Sequence, residues 1–243
     1  MAAARYWSVE RDGDAVVATC PEALLPAGSS RPEWMAGYVG AIRDELRLLQ
    51  ITEATLLEAT LTGALPPGAG LENVLLYDAG VPQAQVVSGA RMVLVPSGDG
   101  GFVQRYRRSP LATVEPDGAP ERLAAVVVPL PDGYEFESAR DVWRAVRSAG
   151  ADGVQAAPGR APGGIDLRVR LLSGSIRRPP GIELIHRLLD GVRASLQDDP
   201  ELDAVAAARR LDGHIRAAEV VFVPGGTAQL EIELRAVAAA AGS

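Results

Sequence analysis

Two stretches of this chain repeat one another. Pro66-Pro67-Gly68 recurs as Pro179-Pro180-Gly181. Each tripeptide is followed by a Leu/Ile-Glu pair, Leu71-Glu72 and then Ile182-Glu183. Two leucines and an aspartate come next: Leu75, Leu76 and Asp78 against Leu188, Leu189 and Asp190. The surrounding patterns repeat as well. The first half reads strand, helix, strand, Pro-Pro-Gly, LENVLLYDAG, strand, turn, strand. The second reads strand, helix, strand, Pro-Pro-Gly, IELIHRLLDG, helix, strand, turn, strand. This constrains the fold strongly, because two half-sheets with open edges can complete each other. The expected class is α/β (α+β), with mixed sheets packed against helices and an internal duplication of a β-α-β-(α)-β-β unit. Residues 1–115 would form an N-terminal lobe and 116–243 a C-terminal lobe, or the two would merge into one pseudo-symmetric domain.

The clearest predicted helix is Gly181 to Asp199. Ile182, Ile185, Leu188, Leu189, Val192 and Leu196 recur at spacings of three and four and form one apolar stripe. Glu183, His186, Arg187, Asp190, Arg193 and Gln197 take the other side as a solvated face. Asp199 and Pro200 would open a second helix running to Leu211. An earlier helix is predicted to follow the capping box Ser30-Arg31-Pro32-Glu33, with Trp34, Tyr38, Ile42, Leu46 and Leu49 on one face. Another runs from the cap Ser138 to Ala149, closed by Gly150.

Strands are predicted at Tyr6 to Arg11, Ala15 to Thr19, Ala54 to Thr62, Ala90 to Val95, Phe102 to Arg107 and Ile165 to Leu172. Leu123 to Val128 reads as a buried strand, and Leu71 to Asp78 fits a short helix or a strand. Gly153 to Gly164 is an irregular loop. Ser97 to Gly101 turns one strand into the next, and Ala217 to Val223 with Ala228 to Arg235 closes the chain as a hairpin.

Composition removes several function classes. All 24 basic residues are arginine, which excludes Schiff-base chemistry and a phosphate-loop lysine and suits a GC-rich coding sequence. The net charge of −7 argues against broad nucleic-acid binding, although a local arginine patch is compatible with it. A lone cysteine, Cys20, excludes an internal disulfide framework and reads as a structural thiol. The chain has no apolar signal core and no apolar run of about 18 residues, so a cytoplasmic location without membrane contact is expected. The glycine runs join strands to strands or precede a strand, so none supplies a helix N-terminus for phosphate. No cofactor is expected.

Two clusters carry candidate chemistry. Glu183, His186 and Asp190 lie three and four residues apart on one helix face, a pattern open to metal or acid–base work. The plainer reading is a wet face with Glu183–Arg187 as an i,i+4 ion pair. The stretch LLDGVRASLQDD resembles the carboxylate-bearing region of RusA-type Holliday-junction nucleases. That resemblance implies Mg²⁺-dependent phosphoryl chemistry with Asp190, Asp198 and Asp199 as ligands. It departs from the family where the leading aspartates fall on Pro180 to Glu183, and where His186 or Arg187 replaces a lysine. The second cluster is Arg105, Tyr106, Arg107 and Arg108, which Arg177 and Arg178 would join to bind phosphate and stack a base.

The reading drawn from these facts is non-catalytic: a module that scaffolds a protein partner or its own homodimer. The alternative is a divalent-metal-dependent enzyme acting on nucleic acid or a phosphorylated small molecule. A third reading is a nucleic-acid binder using the arginine clusters.

Overall fold

A computed structural model describes residues 7–21, 33–49, 55–65, 70–79, 88–97, 101–110, 121–131, 134, 136–150, 154, 157–173, 181–196 and 214–237. The Pro-Pro pairs, Ser30, the predicted helix from Pro200, and the predicted site residues Arg177, Arg178, Asp198 and Asp199 lie outside them.

The N-terminal half contains β1 (Ser8–Asp12), β2 (Ala15–Cys20), α1 (Glu33–Arg47), β3 (Thr55–Thr62), α2 (Leu71–Ala79), β4 (Gly89–Val95) and β5 (Phe102–Pro110). The C-terminal half contains β6 (Arg122–Pro129), α3 (Ala139–Ser148), β7 (Ile165–Ser173), α4 (Ile182–Ser195), β8 (Ile215–Pro224) and β9 (Gln229–Ala236). The strands form one sheet in the order β1-β2-β5-β3-β4-β8-β7-β9-β6. Without β1, that order is the same on either side of the β4–β8 seam: β2-β5-β3-β4 is mirrored by β6-β9-β7-β8. The senses match too. β3 and β4 are parallel, as are β7 and β8, and each outer pairing is antiparallel.

The registers place a pseudo-two-fold axis at the seam. Leu57-Glu58-Ala59-Thr60-Leu61 of β3 has the burial rhythm of Leu167-Arg168-Val169-Arg170-Leu171 of β7. Leu57 pairs with Ala90 and Leu167 with Ala218, so Ala90 matches Ala218 and Arg91 matches Glu219. In the antiparallel β4–β8 ladder Arg91 and Glu219 face each other. The axis therefore passes between these two side chains.

Two expectations are corrected. Neither β4–β5 nor β8–β9 is a hairpin. β3 lies between the first pair and β7 between the second. The turn after β8 reverses the chain through Gly225 and Gly226 at positive φ, but a reversal does not oblige the strands to pair. β3 and β7, buried on their helix side, take the central place instead. The second correction is β6, expected as a buried strand. It is the outermost strand of its half, and Val127 is 54% exposed.

Among the described residues, four helices cover one face of the sheet. α1 carries Tyr38, Ile42 and Leu46 into the core, where Trp34 and Trp7 pack edge-on against Tyr38. The ambiguous Leu71 to Asp78 segment is helical, as a β-α-β crossover between the parallel strands β3 and β4 requires. α3 opens with a capping box, Ser138 and Asp141 bonding reciprocally. It packs tightly on α4 because Gly191 has no side chain. A Cβ there would collide with Val142 and the Ala139 carbonyl. The loop before β7 contains a 3₁₀ turn at Pro158–Arg160, flanked by the buried Ala157 and Ala161. Among the described residues no helix is long and apolar enough to cross a membrane.

Candidate functional site

Three polar constellations stand out. The first joins α2 to α4 across the seam. Arg193, expected on the wet face of its helix, is only 2% exposed and bonds the equally buried Glu72. It also lies 3.6 Å from Asp190. The helix turns this side toward α2 rather than toward water, which corrects the expected solvated face. Burial pushes the Glu72 carboxyl up, and the Arg193 guanidinium draws it back. His186 Nε2 stands 3.1 Å from Asn73 Oδ1 and 3.4 Å from Asp190 Oδ2. Both are acceptors, so the proton of the neutral ring sits on Nε2. Burial lowers the His186 pKa. Glu183 points away and pairs with Arg187 at 3.6 Å, the i,i+4 pair expected from sequence. Among the described residues no group of three or more His, Cys, Asp or Glu side chains is placed to hold a metal ion. His186 and Asp190 approach each other, whereas Glu183 does not join them and pairs with Arg187 instead.

The second constellation lies under the N-terminal lobe. Tyr106 donates a 2.6 Å hydrogen bond to Asp78 Oδ2, and Tyr38 donates one of 2.6 Å to Gln104 Oε1. Arg43 ties down the carbonyls of Tyr77 and Asp78. Burial pushes the Asp78 carboxyl up to about 7, with Tyr106, Arg43 and Gln104 pulling against it. Tyr106 is therefore a core residue. It projects toward the helices, while Arg105 and Arg107 project to the other face, so the arginine–tyrosine stacking surface does not form. Arg105 is paired with Asp12 at 2.8 Å and Arg107 with Glu58, and Arg108 lies exposed on the helix side of β5.

The third is the sheet face opposite the helices. Following the cross-strand partners from β5 to β9 gives one row: Arg107, Glu58, Arg91, Glu219, Arg168, Glu233. The sign alternates at every step. Ala15 and Ala125 end the row on either side. Arg107 bonds Glu58, and Arg91 bonds Glu219 at 3.1 Å. Arg168 leans to the buried Asp166 at 3.2 Å. Residues that match across the axis carry opposite charge: Arg91 and Glu219, Glu58 and Arg168, Arg107 and Glu233. A trough of about 670 Å³ runs along this face, lined by residues from β3 through β9 that include Leu56, Arg91, Arg168, Glu219 and Val221.

Sequence reasoning missed this row. Each member is visible as a charged residue at an alternating strand position, but their alignment depends on a strand order that the assumed hairpins obscured.

No protein-family model and no curated protein matches the chain. Among solved structures, a cyanuric acid hydrolase described as an evolutionary innovation by structural concatenation is similar. Its identity is 12% and its TM-score 0.23, over 95% of this chain and 68% of that one. T. maritima PurL complexed with ADP is similar at 10% identity and a TM-score of 0.18, over 94% of this chain and 37% of that one. Similarity at this level identifies no activity.

Proposed function

We propose that this protein is a non-catalytic assembly module that presents the trough-bearing face of its sheet to a protein. One observation carries the reading: among the described residues, four helices bury one face of a nine-stranded sheet, and a charge-patterned trough runs along the other. A trough of alternating charge suits recognition by complementary charge, since like charges set opposite one another would be disfavoured. The alternating row has no net positive field, and Arg105 and Arg107 are occupied by acids, so the nucleic-acid reading has less support. The carboxylates of α4 engage arginines and Asn73's histidine partner rather than one another, which weakens the metal-dependent alternative.

The test is affinity purification of the wild type and of Val221→Arg, a substitution in the trough, each with and without nuclease. A stoichiometric protein, or a second copy, that survives nuclease and is lost with Val221→Arg supports the reading. Recovery of nucleic acid alone, or of nothing, overturns it.

A further inference from the structure

The charge row is antisymmetric about the seam, and this has a geometric corollary. Read from β5 to β9 it runs Arg, Glu, Arg, Glu, Arg, Glu; read backwards it is the complement. Consider two copies laid face to face. If a two-fold axis runs along the row, every arginine meets an arginine. If the axis lies in the interface and crosses the row at right angles, the second row is reversed and every arginine meets a glutamate. Arg107 then faces Glu233 of the other copy, Glu58 faces Arg168, and Arg91 faces Glu219. Each charge gains an opposite neighbour across the interface in addition to those beside it.

We propose that the occupant of the trough-bearing face is a second copy of this chain, docked face to face with the charge rows antiparallel. This rests on the assembly reading above and specifies its partner. The adjacent row of the same face, Gly89, Val221, Arg170, Glu231 and Val127, supplies apolar contact beside the charges. The exposed Val127 is covered in this arrangement. Water fills the gap between facing side chains where they do not touch. A closed isologous dimer results.

Arg107 and Glu233 make the decisive test. Within one chain they sit on β5 and β9, five strand spacings or roughly 24 Å apart, and cannot touch. Between copies they are opposed, twice per dimer. The full chain is examined by sedimentation equilibrium up to about 0.1 mM. The wild type is expected to be a dimer. Arg107→Glu alone and Glu233→Arg alone are each expected to weaken it at least tenfold, and the double exchange to restore it. Circular dichroism checks that each variant folds. Should a single exchange fail to fold, Arg107→Cys with Glu233→Cys replaces it, and the expected result is a disulfide that links two copies on non-reducing gels. A monomeric wild type overturns the inference, and so does a dimer indifferent to both exchanges or an engineered pair that stays unlinked. A monomer that still captures a different protein through Val221 refutes the self-docking alone. A monomer that captures nothing refutes the assembly reading as well.

Discussion

Under β5 of the N-terminal lobe lie Gln104 and Tyr106, paired to Leu61 and Ala59 of β3. At the matching places under β9 of the C-terminal lobe lie Leu230 and Ile232, paired to Leu171 and Val169 of β7. All four are buried. The frame is the same, yet one lobe is filled with a hydrogen-bonded polar network and the other with aliphatic side chains. Packing of aliphatic carbon depends little on pH or on partners, whereas a buried polar network is stable only while each group is satisfied. One duplicated frame thus supports two interiors of different sensitivity, and under the outer strands the titratable network belongs to the N-terminal lobe.

The largest expected effect follows from Asp78, whose carboxyl is pushed from the usual 3.8 to about 7. A folded-state pKa above the unfolded one means that protonated Asp78 stabilises the fold fully below about pH 4. That contribution is lost as pH rises through about 7. At about 1.4 kcal/mol per unit, the swing is roughly 4 kcal/mol. Urea denaturation across this range should show it, and Asp78→Asn should remove the Asp78 part of the slope. A variant as pH-dependent as the wild type would place the sensitivity elsewhere.

The next effect concerns the tie between the lobes. Glu72→Leu removes the buried carboxylate that Arg193 bonds, and should lower stability by about 3 kcal/mol in denaturant titrations. Exchanging the interiors then sharpens the contrast in both directions. Leu230→Gln puts an amide among aliphatic neighbours and should destabilise by about 2 to 3 kcal/mol. The reverse exchange, Gln104→Leu, deprives Tyr38 of its acceptor and Asp78 of a neighbouring amide, but puts apolar carbon in a buried place. It should lower stability by only about 1 kcal/mol. Equal losses in the two directions would mean that the interiors are not distinct. Smallest of all, Arg105→Ala opens an exposed ion pair with Asp12 and should change stability by less than about 0.5 kcal/mol.

Much of the frame was legible in the sequence because local periodicity encodes it. Trp34, Tyr38, Ile42 and Leu46 marked α1; the alternation of Leu57, Ala59 and Leu61 marked β3; and Pro-Pro-Gly marked the recurrence of the unit. Adjacency was not legible. Gly225 and Gly226 announce a reversal of the chain, but which strand then lies beside β9 is decided by burial of β7, a long-range effect. Arg193 was misplaced for a related reason. A helix pattern tells which residues share a side, while whether that side meets water or a second helix depends on α2, far away in the chain. The apolar run of β6 read as interior because composition cannot distinguish a central strand from an outermost one.

The seam has a consequence for synthesis. β4 is complete by Val95, but its second neighbour, β8, ends at Pro224. At ribosomal rates of about 5–20 residues per second, β4 waits on the order of ten seconds with one row of peptide groups unpaired. During that interval it is the kind of edge on which nascent chains stick to one another. Arg91, midway along it, puts a charge where a second nascent β4, aligned in the same antiparallel register, would present its own arginine. Only the strand bearing Glu219 relieves that repulsion. The residue that fastens the finished sheet thus also guards its unfinished edge.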